Sequence, residues 1–313
     1  MIVKVQSTIA TVIVTHNRRE QLCNCLYYVS SQTHCVDYVI VVDNASTDNS
    51  QDYIRQQGLF DKLTIKWVTL SDNEGGAGGF ARGIEEALDL GVDYIWLMDD
   101  DGYPDLNCLQ KLLEWMTEDS FIGPLVVACE NISELAFPLA CPDSMHPILS
   151  VKDLRIQKNT TIKNSLVPFN GVLISTKIVR KLGVPKKEMF IWGDDIEYLW
   201  RIREAKFRVL TIINAYFYHP KKNSVAEKMF FDRFTYNDTN SPIKLYCQSR
   251  NSFWNWKRYY GFGRAALFFC KTIWFYSFTK PSKDKLLVAL SGMFHGMLGD
   301  FKHHRRYLLR KEF

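Results

Sequence analysis

Short apolar runs alternate with amphipathic segments along the first hundred residues. Four runs rich in apolar and β-branched residues predict buried strands at 8–15, 38–42, 63–70 and 94–98. Between them, apolar residues recur at helical spacing, as with Leu22, Leu26 and Val29. Strands that alternate with helices in this way predict an α/β fold with a mostly parallel sheet flanked by helices.

Residues with special backbone preferences mark the ends of these elements. Asn17 is predicted to cap the helix that follows the first strand, and Gly58 and Gly91 are predicted to end helices. A glycine-rich turn over 73–80 is predicted to lead into a helix whose apolar face includes Ile84.

The second half of the chain has a weaker pattern. Prolines and polar residues over 130–165 predict loops, and strands are predicted at 170–175 and 208–213. Beyond about residue 224 the pattern becomes helical, aromatic and basic. We therefore divide the chain into an α/β domain at 1–223 and a C-terminal helical region at 224–313.

Composition narrows the class of protein. The 313 residues carry a formal net charge of +5, which is too mild to indicate a nucleic-acid partner. None of the eight cysteines forms a C-x-x-C pair, so neither a zinc ribbon nor a thioredoxin-like site is indicated. We expect the cysteines to be small buried groups in a reducing compartment.

The C-terminal region suggests a membrane surface. No secretory signal is visible at the N-terminus, and the apolar run at 265–279 is interrupted by Lys271 and too short to span a bilayer. Aromatic and basic residues interleave over 253–260. Basic residues also cluster near the C-terminus, at Lys302, Arg305, Arg306, Arg310 and Lys311. We expect a cytoplasmic protein held peripherally at the inner face of the cell membrane. A solvated helix and a homo-oligomer contact remain the alternatives.

Polar clusters follow each of the first four predicted strands, at 15–18, 43–48, 72–79 and 99–101. Ligands of parallel α/β sheets bind beyond the carboxyl ends of the strands, so these clusters predict a site. Asp99, Asp100 and Asp101 are three like charges in a row, and a divalent cation would compensate their repulsion. Carboxylate oxygens are the ligands that Mg²⁺ and Mn²⁺ prefer.

The glycine-rich run has two interpretations. Its backbone can approach a phosphate closely at the start of a helix, with Asn73 and Gly76 within the run and Arg82 nearby. Gly76, Gly78 and Ala81 also match the dinucleotide fingerprint of dehydrogenases. The run follows the third strand instead of the first, and a ribose-binding acid would not come as a triplet. Both facts disfavour a dehydrogenase.

Four other polar residues have competing interpretations. The Asp43 carboxylate can accept a hydrogen bond from a nucleobase or a ribose, or cap the next helix. Asp194 can cap a helix running to about residue 206, which would leave Asp195 available as a general base. Spacing alone does not decide between capping and catalysis. His219 stands before a proline, where a structural role competes with metal ligation.

Together these motifs resemble the family two glycosyltransferases. The resemblance covers roughly residues 8–220 and rests on segments 11–18 and 41–48, the glycine-rich run, the aspartate triplet and Trp192-Gly193-Asp194-Asp195. Its implied fold is GT-A-like, with a Rossmann-like sheet. The glycine run followed by Arg82 is most similar to galactofuranosyltransferases. Rhamnosyltransferases are next, sharing the first two motifs and a segment like Arg250-Asn251.

The resemblance implies a role for each site residue. Asp195 would be the general base of an inverting reaction, Trp192 and Asp194 would meet the acceptor, and Asp100 would lie near the ribose or sugar. The nucleotide sugar would be held by Thr15, Asn17, Arg18, Asp43, Asn73, Gly76 and Arg82. A Mn²⁺ or Mg²⁺ ion would be held by Asp99, Asp101 and His219.

The implied activity is transfer of galactofuranose from UDP-galactofuranose to a cell-surface glycan or a lipid-linked oligosaccharide. Polymerising galactofuranosyltransferases are much longer than this chain, which favours transfer of one residue or a few. The alternatives are a rhamnosyltransferase that uses dTDP-rhamnose and a non-catalytic protein that binds a nucleotide sugar.

Overall fold

The computed structural model describes residues 7–139, 147–155, 160–221, 227–230, 234–308 and 312–313. The chain forms two compact units. The first comprises Met1–Pro185 and Arg201–Lys221, and the second comprises Lys186–Trp200 and Lys222–Phe313. The segment Lys186–Trp200 therefore leaves the first unit and belongs with the C-terminal helices. The basic residues Arg310 and Lys311 lie outside the described residues.

The strands of the first unit are β1 Ile9–Thr15, β2 Tyr38–Asp43, β3 Ile65–Thr69, β4 Tyr94–Asp99, β5 Tyr103–Pro104, β6 Ser120–Ala128, β7 Glu134–Leu139, β8 Ile148–Ser150, β9 Thr161–Lys163, β10 Asn170–Ser175 and β11 Arg208–His219. Its helices are α1 Arg19–Ser30, α2 Ser50–Gln56, α3 Leu59–Lys62, α4 Gly75–Asp89, α5 Cys108–Leu113, α6 Val151–Arg155 and α7 Thr176–Leu182. Helix α8, Asp194–Glu204, begins in the second unit and ends in the first.

The other elements lie in the second unit. They are a hairpin of β12 Glu227–Met229 and β13 Phe234–Tyr236, and helices α9 Pro242–Tyr260, α10 Phe262–Trp274 and α11 Lys283–Leu298. Three short helical turns complete it, at Lys187–Met189, Phe275–Thr279 and Lys302–Tyr307. Among the described residues, no helix is both long enough and apolar enough to cross a membrane.

The sheet of the first unit confirms the predicted α/β class. Its main order is β3-β2-β1-β4-β10-β6-β11-β5, and β1 pairs in parallel with both β2 and β4. Strand β10 is antiparallel to both of its neighbours, β4 and β6, and β11 returns parallel to β6. The β1 strand is fully buried, because neighbours pair with both of its edges and its side chains enter the core.

Two local expectations were wrong. The segment 130–165 contains β7, β8, α6 and β9 in addition to loops, because these strands pair with β6, with β11 or with each other. Asn17 does not cap α1. Its backbone is left-handed, with φ 53°, and its side-chain oxygen accepts a hydrogen bond from the Thr47 N–H at 2.7 Å. Gly58 and Gly91 do adopt the left-handed backbone expected at helix ends.

The glycine-rich run is largely helical. Gly75 has a positive φ, and α4 starts there, so the run forms the first turns of the helix instead of a loop. A Cβ atom on Gly79 would lie 2.4 Å from Val14 Cγ1, and one on Gly83 would lie 2.3 Å from Val12 Cγ1. These two glycines therefore let α4 pack closely against β1.

The second unit has its own apolar core, formed where α9 packs against α10 and α11. Within the aromatic and basic run 253–260, Phe253 is buried, and Trp256 packs partly buried against this core. One face of that run therefore packs inward, while Lys257, Arg258 and Tyr260 are exposed.

Candidate functional site

The first four predicted polar clusters meet at one edge of the first unit. Thr15 at the end of β1 is in register with Asp43 at the end of β2, and Asp43 is in register with Thr69 of β3. On the other side, Val14 is in register with Asp99 of β4. Parallel pairing therefore brings the segments after these strands to the same edge of the sheet.

Asp100 is the buried centre of this cluster, with 3% of its surface exposed. The Thr15 hydroxyl donates a hydrogen bond to Asp100 Oδ2 at 2.7 Å, and Arg18 Nη1 contacts Asp100 Oδ1 at 3.0 Å. Burial raises the pKa of Asp100, and the Arg18 guanidinium opposes that rise. The polar partners of Asp100 are thus supplied by the loop that follows β1.

Arg18 also bridges the triplet. The same Nη1 atom contacts Asp101 Oδ2 at 3.1 Å, so one guanidinium compensates two of the three neighbouring carboxylates. From the sequence, only a divalent ion was expected to compensate the repulsion between these carboxylates. About half of the Arg18 side chain is exposed, which leaves it accessible to a ligand.

His219 joins the cluster from the end of β11. It is 2% exposed, and its Nε2 atom lies 3.0 Å from Asp101 Oδ1. Its Nδ1 atom lies 2.7 Å from the Pro220 carbonyl oxygen. A carbonyl can only accept, so Nδ1 carries a proton, and in the neutral ring the Nε2 lone pair faces the carboxylate.

Two facing electron pairs at this distance require a proton or a cation between them. A carboxylate oxygen is a ligand that Mn²⁺ prefers, and an imidazole nitrogen is a common ligand of other divalent transition metals, so Asp101 and His219 together fit a divalent transition-metal ion. Across the described residues, no group of three or more His, Cys, Asp or Glu side chains is arranged to hold a metal. Asp99 lies half-buried at the end of β4, and its N–H donates to the Phe169 carbonyl.

Asn17 and Asp43 organise the two loops beside the cluster. Asn17 binds the β2 loop through Thr47, and the Asn17 N–H donates to Ser46 Oγ at 2.9 Å. Asp43 Oδ1 accepts a hydrogen bond from the Ser46 N–H at 2.8 Å, so one of its oxygens shapes the turn. Asp43 does not cap the next helix, because α2 begins only at Ser50 and Asn49 occupies its N-cap position.

Sequence reasoning missed Asn44, which ties the β2 loop to the start of α4. Its buried side-chain amide donates to the Gly75 carbonyl and accepts from the Glu74 N–H, each at 2.8 Å. Its backbone carbonyl contacts His16 Nδ1. The only signal in the sequence was its position directly after Asp43.

The candidates of the glycine-rich run have different surroundings. Asn73 Oδ1 accepts from the Gly75 N–H at 2.8 Å and so supports the start of α4. A Cβ atom on Gly76 would meet nothing within 4 Å, so packing does not require glycine there. Arg82 forms an ion pair with Glu86 one turn further along the helix.

The Trp192 motif belongs to the second unit. Trp192 and Gly193 both have positive φ, 61° and 100°, and α8 begins at Asp194. The Trp192 ring is partly exposed, and the Lys244 ammonium lies 5.7 Å from its centroid. The motif is therefore a sharply turned segment that presents an aromatic face.

Asp194 and Asp195 open α8 with perturbed acidities. Burial raises the pKa of Asp194 well above its ordinary value, and the neighbouring Asp195 charge raises it further. Burial also raises the pKa of Asp195, while backbone hydrogen bonds oppose the rise. A carboxylate with a raised pKa is a stronger base than an exposed one.

Helix α9 holds this motif through buried polar side chains. The Asn251 Nδ2 atom contacts three carbonyl oxygens, those of Met189, Ile191 and Trp192, at 3.0, 3.1 and 2.7 Å. Asn255 Nδ2 donates to the Gly193 carbonyl at 2.8 Å, and Arg250 donates to the Met189 carbonyl at 2.7 Å. The sequence marked Arg250-Asn251 only by its resemblance to rhamnosyltransferases and did not predict that these side chains bind the Trp192 segment.

Comparison with known proteins identifies the class. The family model described as "Glycosyl transferase family 2" matches residues 11–182, more than half of the chain. The chain belongs to glycosyl transferase family 2 and is a glycosyltransferase.

Two relatives confirm the predicted order of resemblance. Galactofuranosyltransferase GlfT1 of Mycolicibacterium smegmatis is 34% identical over 220 residues, which cover 68% of this chain and 70% of that protein. The dTDP-rhamnosyl transferase RfbF of Shigella flexneri is 23% identical, over 79% of each protein.

Among solved structures, GalNAc-T7 with UDP, GalNAc and Mn²⁺ aligns with a TM-score of 0.61. It is 13% identical, and the alignment covers 94% of this chain and 55% of that one. At this identity the likeness concerns the fold alone, which is that of the GT-A glycosyltransferases.

Proposed function

We propose that this protein is an inverting galactofuranosyltransferase that uses UDP-galactofuranose as its donor. The observation that carries the proposal is the polar cluster of Arg18, Asp100, Asp101 and His219 at the carboxyl edge of the sheet. The identity with GlfT1 supports galactofuranose as the donor sugar, since that relative is named for this transfer.

The first unit would hold the donor. Thr15 and Asp43 end β1 and β2, and Asn17 lies on the loop after β1. The nucleoside would bind beside these three residues. Arg18 is half-exposed beside two carboxylates, so it can contact the ribose or diphosphate while it still neutralises Asp100. Gly76 and Asn73, at the start of α4, would face the phosphates, because helix N-termini favour anions. Arg82 would add positive charge nearly two turns further along, beside its partner Glu86.

Asp101 and His219 would hold a divalent ion, with Asp99 as a further ligand. When bound, such an ion neutralises charge that develops on the departing diphosphate. The hydrogen bond from His219 Nδ1 to Pro220 fixes the ring so that Nε2 is available to the ion.

Asp195 would act as the general base. The acceptor hydroxyl attacks the anomeric carbon, its proton passes to the Asp195 carboxylate, and the bond from that carbon to the diphosphate oxygen breaks. The nucleoside diphosphate leaves, and the single displacement inverts the anomeric configuration. Trp192 would provide an aromatic platform for the acceptor, and Asp194 would contact it. We propose a cell-surface glycan or a lipid-linked oligosaccharide as that acceptor.

Donor turnover tests the proposal. We expect the protein with manganese to release UDP from UDP-galactofuranose, and we expect EDTA to abolish the release. The panel should include dTDP-rhamnose, because RfbF is named for that donor class. Release from dTDP-rhamnose alone would establish a rhamnosyltransferase, and binding of UDP without turnover of any donor, with or without acceptor, would indicate a binding protein.

The base assignment needs its own variant. Asp195→Asn should lower transfer to an acceptor by at least about a hundredfold, the usual contribution of a general base. Binding of UDP should remain nearly unchanged. An equal loss of nucleotide binding and transfer would contradict the assignment.

A further inference from the structure

An exposed aromatic surface runs across helix α10 and the hairpin of β12 and β13, all within the second unit. We call it the aromatic surface, and it consists of Phe230, Phe234, Leu267, Trp274 and Phe278. These side chains are 40–68% exposed. An apolar patch of this kind on a soluble unit marks an interaction site.

The rings of this surface are in contact with one another. Ring centroids lie 6.2 Å apart between Phe234 and Phe230, 4.8 Å between Phe230 and Trp274, and 4.8 Å between Trp274 and Phe278. A groove of about 410 Å³ lies along the same elements and includes Leu267 and Trp274 in its lining. The exposed rings therefore form one continuous surface.

The opposite face of α10 explains why these rings point outward. Ala265 and Thr272, seven residues apart, are fully buried, and Phe275 and Tyr276 enter the core of the unit. Leu267 and Trp274 are also seven residues apart, on another face of the same helix. Helix α10 thus has one face packed in the core and a second face that is exposed although it is also apolar.

Among the described residues that line the groove, two are cations, Arg264 and Lys271, and none is a carboxylate. Burial among apolar groups lowers the pKa of Lys271, as expected for an ammonium surrounded by aromatic side chains. Long basic side chains can lay their stems along such a surface and present their charge to an anionic partner.

The local sequence strengthens this charge bias. From Thr239 to Lys283 the chain has eight lysines and arginines and no aspartate or glutamate. Asp238 and Asp284 flank that stretch, and both Asp238 and the more distant Glu227 form ion pairs with Lys280. Asp232, between Phe230 and Phe234 in the sequence, lies outside the described residues. The surface therefore combines exposed aromatic rings with positive charge, which matches the chemistry of an anionic bilayer interface.

We propose that the aromatic surface docks on an anionic membrane, with Trp274 and Phe278 inserted at the level of the headgroups and Arg264 and Lys271 contacting lipid phosphates. This site differs from the basic C-terminal segment that the sequence suggested. It does not depend on the identity of the donor or on catalysis.

Vesicle co-sedimentation of the full chain tests the proposal. The two vesicle types are phosphatidylcholine alone and an equimolar mixture with phosphatidylglycerol. Lys271→Gln should lower the partition coefficient about fivefold on the mixed vesicles only, as expected for one basic residue. Trp274→Ser and Phe278→Ser should each lower the partition coefficient about tenfold on the mixed vesicles, because each removes apolar area that the bilayer would bury.

The matched control is Leu106→Ser, which removes a side chain of similar exposure from the first unit. It should bind vesicles like the unaltered protein, and circular dichroism should show that all variants are folded. Equal binding by all variants would overturn the proposal. Failure to bind either vesicle, together with a self-association that Trp274→Ser abolishes, would also overturn it and assign the surface to contact between copies.

Discussion

At the scale of single residues, the three consecutive aspartates have different environments. Asp100 is buried and bound by Thr15 and Arg18, and Asp101 contacts Arg18 and His219. Asp99 ends β4, and its N–H donates to the Phe169 carbonyl, just before β10. The triplet pattern marked the position of the site. The side chains that give Asp100 and Asp101 different environments lie more than eighty positions away in the sequence.

Asp194 provides a residue-scale prediction about stability. Its folded-state pKa is raised, so the unfolded state releases its proton first as the pH increases. Stability is therefore lost between the ordinary aspartate pKa, about 3.9, and the raised folded value. Asp194→Asn removes this penalty, so its Tm should exceed that of the unaltered protein at pH 7 and match it more closely near pH 4.

Thermal unfolding across that pH range is the measurement. Asp89→Asn, which removes an exposed carboxylate at the end of α4, controls for the change in net charge. A lower Tm for Asp194→Asn at pH 7 would show that hydrogen bonds of the carboxylate outweigh its desolvation.

At the scale of elements, the glycines of α4 have two different functions. Gly79 and Gly83 allow the helix to approach β1, whereas Gly76 has open space where a side chain would be. The glycine-rich segment therefore contains both glycines needed for packing and a glycine, Gly76, that could contact a ligand.

This division predicts opposite effects for two matched substitutions. Gly83→Ala forces a methyl group against Val12 and should destabilise the protein by about 1–3 kcal/mol, as overpacking does. Gly76→Ala should leave stability unchanged or raise it by up to about 1 kcal/mol, because alanine favours a helix over glycine. If Gly76 faces the donor, the same substitution should raise KM for the donor.

Urea unfolding and donor kinetics on both variants are the measurements. A destabilised Gly76→Ala protein would contradict the open space at that position. A stable Gly76→Ala protein with unchanged KM would remove Gly76 from the donor site while preserving the packing argument.

At the scale of the whole molecule, the chain leaves the first unit after Pro185 and re-enters it at Arg201. The intervening segment carries the Trp192 motif, and its backbone carbonyls are bound by α9, about sixty residues later in the chain. The conformation of the proposed base is thus set by a helix outside the matched family region.

Asn251→Ala tests this arrangement. It removes the Asn251 donor from the Ile191 and Trp192 carbonyls, while the Met189 carbonyl keeps its hydrogen bond from Arg250, and it should cost about 1–3 kcal/mol of stability. Since the segment before Asp195 would lose its support, we expect kcat to fall at least about tenfold while donor KM changes little. Steady-state kinetics at a temperature well below Tm is the measurement.

Ser252→Ala is the matched control, because it removes a hydrogen-bonding side chain from the adjacent position of α9. It should retain activity and stability. Unchanged kcat in a destabilised Asn251→Ala protein would assign Asn251 a purely structural role.

Local sequence was enough to predict the first four strands, the helices α1, α2 and α4 between them, and the edge at which their polar clusters meet. These features depend on hydrophobic period and on residues such as Gly58 and Gly91, whose backbone preference acts locally. The family assignment followed from the same segments.

The pairings between distant segments could be seen only in the folded protein. Strand β10 lies antiparallel between β4 and β6, Asn44 binds the start of α4, and Asn251 binds the Trp192 segment. The tertiary structure also decided that Phe253 packs inward while Trp274 is exposed. Such contacts are formed by residues far apart in the chain, so no local window of sequence contains both partners.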